Sequence, residues 1–137
     1  MSKEELVTLS SVELRRRIGT KEISPVELLD ACLERIEEVN PAVNAVTAMC
    51  VDRARKEAKA AEAAVRRGED LPLLHGLPTG IKDLEETKDL LTTYGSPLYR
   101  DYVPGYDNVM VGRVRAAGGI VVGKTNTPEY GWKGDTS

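Results

Sequence analysis

This 137-residue chain has no phenylalanine, one histidine, one tryptophan and two cysteines. Each shortage closes a route to function. His75 stands alone, so no second imidazole is available for a metal site, and residue order alone builds no serine–histidine–aspartate triad. Cys32 and Cys50 lie in apolar contexts without metal-ligand spacing. They read as buried free thiols, with a single Cys32–Cys50 disulfide as the alternative. No apolar run approaches the ~20 residues that cross a bilayer, and the opening M-S-K-E-E-L-V-T-L lacks the apolar core of a signal peptide. The expectation is a cytoplasmic protein with no membrane segment. An excess of either charge is also missing: net charge is −3 and the pI about 5.3, which gives no basic surface for nucleic acid or an anionic membrane.

What is present suits one soluble domain with one core, since 41% of residues are hydrophobic. Ser10 to Ile18 reads as a helix with a Ser10/Glu13 capping box and Gly19 as its stop. A second helix runs from Pro25 to about Val39, capped by Ser24. Val26, Leu29, Leu33 and Ile36 share one face, and Asn40-Pro41 is expected to end it. Val43 to Met49 reads as a strand. A third helix spans Val51 to Arg67, with Ala54, Ala58, Ala61 and Val65 as a narrow seam open to close approach. Asp107 is expected to cap a helix from Asn108 to Ala117 that buries Met110, Val111, Val114 and Ala117. Ile120 to Val122 follows as a buried strand.

All Tyr and Trp residues fall at or after Tyr94, and Asp83 to Leu91 is acidic and turn-like. Rings with an apolar body and a polar tip suit either cleft walls or loops lying over a core. Gly118 to Thr125, G-G-I-V-V-G-K-T, fits the phosphate-loop pattern. That pattern works only as a flexible loop between a strand and a helix starting at its lysine. Here the middle of the motif is itself strand-like and a helix precedes it, so nucleotide binding is not expected.

The stretch most suggestive of chemistry is Leu74 to Asp83, L-H-G-L-P-T-G-I-K-D, which sets Lys82 at the end of a short apolar run. The ordinary reading is an edge-strand lysine reaching solvent. The functional reading is a lysine among Leu77, Ile81 and Leu84 that loses water, which disfavours the ammonium and makes the amine a base.

Four blocks stand in order along the chain: L-H-G-L-P-T-G-I-K-D-L, T-T-Y-G-S-P, D-N-V-M-V-G-R-V-R-A-A-G-G and G-K-T-N-T-P-E-Y-G-W-K-G. Together they resemble the amidase signature family, from roughly Leu28 to the last residue and most strongly from Leu74 onward. The resemblance implies an α/β fold, the N-terminal part of one α/β/α domain with a mixed sheet, occupying residues 1–137. It implies hydrolysis of carboxylic amides by a lysine, a bridging serine and a nucleophilic serine, without metal or organic cofactor. Lys82 matches the lysine. Lys124 matches a structural position, and His75 one without chemistry.

Both family serines lie beyond the K-T-N block. Ser10, Ser11, Ser24 and Ser96 fall outside the matching context and Ser137 comes too early. The chain thus resembles the N-terminal third of an amidase, inactive by itself. Its expected partners are a small-molecule amide in the complete enzyme, and a second copy or the remaining portion of the fold; no direct nucleic-acid partner is expected. A non-catalytic interaction module derived from an amidase is the alternative.

Overall fold

A computed structural model describes residues 1–135; Ser137 lies outside them. Five helices and three strands follow one another: α1 (Lys3–Thr8), α2 (Ser11–Gly19), α3 (Pro25–Val43), β1 (Val46–Met49), α4 (Val51–Arg66), β2 (Pro78–Lys82), α5 (Val109–Ala116) and β3 (Ile120–Thr125). Single 3₁₀ turns occupy Pro97–Tyr99 and Glu129–Gly131. The strand order is β1-β3-β2, with β3 antiparallel to β1 and parallel to β2. This is the mixed sheet that the resemblance implies.

Helices cover both faces. On one, Leu29 of α3 and the Ala54/Ala58 seam of α4 pack on Ile120 and Val122. On the other, Val111 of α5 and Leu90 of the loop before it pack on Ile81 and Val121. A third cluster joins Leu6, Ile18, Leu28, Ala31, Val65 and Leu77 around the N-terminal helices. The alanine seam is buried in full, as expected: small side chains let α4 approach the sheet closely.

Several boundaries differ from those expected, each for a local reason. Helix α1 is an addition, started by Ser2 and Glu5 in a reciprocal capping box. Helix α3 does not stop at Asn40 but runs through Pro41 to Val43. Proline removes one N–H there, yet Asn44 takes the left-handed conformation as C-cap and donates to the Asn40 carbonyl at 2.7 Å. The Asn40 side chain also pairs with both backbone groups of Val46, at 2.8 and 2.9 Å, so helix end and strand start are tied together. The strand consequently begins at Val46, not Val43. Asn108, not Asp107, caps α5, accepting from the Val111 N–H at 2.9 Å. Asp107 instead accepts from the Lys88 N–H at 2.9 Å and pairs with Arg115 at 3.0 Å. Only Val111 of the expected α5 face is fully buried, while Met110 is exposed.

Strand β3 extends past Val122 to Thr125, so the phosphate-loop lookalike is a strand and not a loop. Gly123 is required at its centre. A Cβ there would stand 2.3 Å from the Ala48 carbonyl oxygen of β1, so the neighbouring backbone could not keep its place. Opposite β2 the pairing slips: Thr79 faces Val121 and Gly80 faces Gly123. Val122 is therefore an extra residue, a bulge. A bulge reverses the alternation of faces beyond it. Without it, Lys124 would point with Ile120 and Val122 toward α3 and α4. With it, Lys124 points to the face of Ile81, Val121 and Leu90.

Candidate functional site

The parallel pair β2/β3 ends in two lysines of opposite character. In α/β sheets ligands collect beyond the carboxyl ends of such strands, and Lys82 is the last residue of β2, paired with Thr125 at the end of β3. Its side chain is exposed. The desolvation considered from its apolar neighbours is not supplied here: β2 is an edge strand, Ile81 turns inward, and Lys82 turns out. The ordinary reading of an edge lysine describes this side chain as it stands.

Its backbone is held firmly. The Lys82 carbonyl accepts from the Glu85 N–H at 3.0 Å, and the Asp83 N–H donates to the Thr125 carbonyl at 2.9 Å. Asp83 is buried. Its carboxylate accepts from the Thr93 N–H at 3.0 Å and from the Thr93 hydroxyl. It also faces the Lys124 ammonium at 3.3 Å. Lys124 is fully buried and donates to the Glu85 carbonyl at 2.7 Å and to Thr92 Oγ1 at 2.8 Å. Burial pushes the Lys124 ammonium below its usual range, with Asp83 opposing that shift. The resemblance implies a structural position for Lys124, but the residue pattern gives no sign of Asp83, Thr92 or the Glu85 carbonyl as its partners. Asp83 adjoins Lys82 in the chain, yet its own contacts come from a loop and from β3, which local pattern does not reveal.

The loop that carries Thr92 and Thr93 continues into a tyrosine cluster. Tyr94 meets Tyr99 edge-on at 4.9 Å and stacks with Tyr102 at 6.1 Å, and Tyr99 meets Tyr130 at 6.3 Å. The Tyr94 carbonyl accepts from the Tyr130 N–H at 2.7 Å, which ties the loop to the segment after β3. Gly95 takes a left-handed φ of +68°, and a Cβ there would lie 2.7 Å from the Thr127 carbonyl oxygen. Burial and then the Glu86 carboxylate push the Tyr94 phenol above its usual range. The rings pack on one another beside the lysine end of the sheet, with Trp132 exposed nearby in sequence.

The remaining sequence candidates lie elsewhere. His75 is buried, and its Nε2 donates to the Ala61 carbonyl at 2.9 Å, holding α4 to the turn before β2. Cys32 and Cys50 are both free thiols, raised above their usual range by burial. Among the described residues no cluster of three His, Cys, Asp or Glu side chains is placed to hold a metal ion. None of their helices is long and apolar enough to cross a membrane.

Known proteins resemble this chain in sequence and in fold. The family model described as Amidase matches residues 27–137. The chain is 42% identical over 127 residues to a glutamyl-tRNA(Gln) amidotransferase polypeptide of Anaeromyxobacter dehalogenans, covering 93% of this chain and 26% of that protein. It is 36% identical over 136 residues to an acylamidase of Rhodococcus erythropolis, covering 99% of this chain and 28% of that one. Among solved structures, a bacterial aryl acylamidase of the amidase signature enzymes superposes with a TM-score of 0.86 at 30% identity, over 93% of this chain and 27% of its own. The chain thus spans about a quarter of the length of the curated relatives it matches.

Proposed function

This chain belongs to the amidase family, and from that premise we propose that it supplies the general base of a carboxylic-amide hydrolase, with Lys82 as that base. The observation that carries the reading is the position of Lys82. It lies in the G-I-K-D block at the carboxyl end of β2, its backbone fixed on one side by β3 and on the other by the Glu85 turn. In the proposed reaction a neutral Lys82 amine takes a proton, through a bridging serine, from the serine hydroxyl that attacks the amide carbonyl. Backbone N–H groups stabilise the oxyanion, the proton held by Lys82 passes back through the bridging serine to the nitrogen so that it leaves as the amine, and water then releases the acid from the acyl-enzyme. Both serines would come from residues outside these 137, packed so that they cover Lys82 and remove it from water. The exposed side chain fits a base whose covering layer lies in another part of the fold.

The polypeptide of 137 residues should therefore have no amidase activity. A base without its nucleophile forfeits the acyl-enzyme route, and general-base assistance to water accounts for only ~10²–10⁴-fold. Assay against simple aliphatic and aromatic amides checks this; turnover that a serine-directed phosphonate abolishes would overturn it.

An uncovered fold should also associate. Both β1 and β2 are edges of the described sheet, and an apolar groove of about 380 Å³ runs between α3 and the sheet, lined by Val7, Cys32, Ile36, Val39, Val46 and Val122. Open strand edges and apolar grooves favour association. The 15.0 kDa chain should sediment as a dimer or larger species at high micromolar concentration. A compact monomer there would count against an uncovered fold.

A further inference from the structure

Lys124 is a buried cation that the proposed proton transfer does not use. An ammonium has three donors, and three acceptors surround this one: the Glu85 carbonyl at 2.7 Å, Thr92 Oγ1 at 2.8 Å and Asp83 Oδ1 at 3.3 Å. Removing such a charge from water is costly, and an apolar side chain of similar size often serves stability as well or better. Stability alone is thus a weak reason for a lysine here.

Two of the three acceptors lead directly to Lys82. Asp83 follows it in the chain, and the Asp83 N–H bonds to the Thr125 carbonyl at 2.9 Å. Glu85 accepts from Lys124 with its carbonyl and donates its own N–H to the Lys82 carbonyl at 3.0 Å. The third, Thr92, donates to the Leu90 carbonyl at 3.1 Å, while its neighbour Thr93 grips Asp83. The cation thus closes a ring through the end of β3, the turn after β2 and the returning loop. The bulge at Val122 is what aims Lys124 into that ring.

We propose that Lys124, acting through Asp83, Glu85 and Thr92, is a positioning residue for Lys82: it fixes the backbone from which the exposed lysine reaches its substrate-side partners. Reaction rates depend steeply on such placement. The inference rests on the reading of Lys82 as the base.

Thr92→Val tests it, because it keeps the side chain's shape and deletes one acceptor of the ammonium; Thr92→Ser restores the hydroxyl. Native-state amide hydrogen exchange on the 137-residue chain gives the first measurement. Thr92→Val should speed exchange of the Asp83 and Glu85 N–H groups at least tenfold more than that of the α3 and α4 amides, and Thr92→Ser should reverse it. Equal acceleration everywhere, or none, would overturn the proposal, since a merely stabilising ring loosens the whole fold together. In the full-length amidase carrying these residues, Thr92→Val should lower kcat at least tenfold per folded molecule with KM within threefold, and Thr92→Ser should recover it. Full kcat in Thr92→Val beside an inactive Lys82→Ala overturns the positioning role alone. An active Lys82→Ala overturns the base assignment, and the positioning role with it.

Discussion

Replacing Lys82 with alanine in the full-length amidase that carries this segment should remove nearly all turnover while leaving the fold intact. The two halves of that expectation have separate grounds. The Lys82 side chain is exposed at the end of an edge strand and belongs to none of the three core clusters. Its loss should change the unfolding free energy of the 137-residue chain by no more than about 0.5 kcal/mol. Catalysis is another matter. The attacking serine hydroxyl must give up its proton near neutral pH, and the one histidine of these 137 residues, His75, is committed to the Ala61 carbonyl between α4 and the turn before β2. Lys82→Arg should fail almost as badly, because a guanidinium stays protonated and cannot accept the proton. Lys88→Ala, an exposed lysine on the neighbouring turn, is the control and should keep full activity. The measurement is kcat/KM per folded molecule. If Lys82→Arg keeps more than about a tenth of wild-type activity, a transition-state loss under ~1.4 kcal/mol, Lys82 is not the base.

What was legible in the sequence and what was not divide along one physical line. Features set by neighbours in the chain could be read. Ser10 and Ser24 cap their helices as expected, the Ala54/Ala58/Ala61/Val65 seam is buried, and the strand character of Ile-Val-Val argued correctly against a phosphate loop. The α1 capping box is equally local, and its Ser2 and Glu5 stand in plain view at the start of the chain. Features set by partners distant in sequence could not be read. The continuation of α3 through Pro41 depends on Asn40 clamping Val46. The loss of Asp107 as a cap depends on Lys88 and Arg115. The site shows the same division. The apolar run placed Lys82 at its end and left a desolvated base and an edge lysine reaching solvent as alternatives, and only the alternation with buried Ile81 in the paired sheet decides for the second. The burial of Lys124 follows from a one-residue bulge that shows only once β3 is paired with β2.

Asp83→Asn should be the most destabilising single change at this end of the sheet. The substitution keeps the size of the side chain and removes its charge. Lys124 would then be a buried cation whose remaining partners, Thr92 Oγ1 and the Glu85 carbonyl, are neutral. Breaking a buried ion pair from one side costs about 3–5 kcal/mol, a large share of the ~5–15 kcal/mol that holds a domain folded. The pH dependence separates this cause from a general packing defect. Burial already holds the Lys124 ammonium below its ordinary value of 10.5, and Asp83 is the leading influence raising it back. Where the folded value is depressed, the unfolded chain binds the proton more tightly, so stability contributed by this group rises with pH toward 10.5 and falls as pH drops through the folded value. Without Asp83 the folded value should drop further. The penalty of Asp83→Asn should therefore be greatest near neutral pH, where the wild-type pair is charged, and shrink as the pH is raised and Lys124 gives up its proton. Adding Lys124→Met should recover much of the loss, because no uncompensated charge is left in the core. Urea unfolding of the single and double variants at several values between about pH 6 and about pH 10 measures all three, and differences beyond ~0.5 kcal/mol count as coupling. A penalty that stays constant across that range, or a double variant no more stable than Asp83→Asn, would show that the Asp83–Lys124 pair is not what holds the end of β2 to β3.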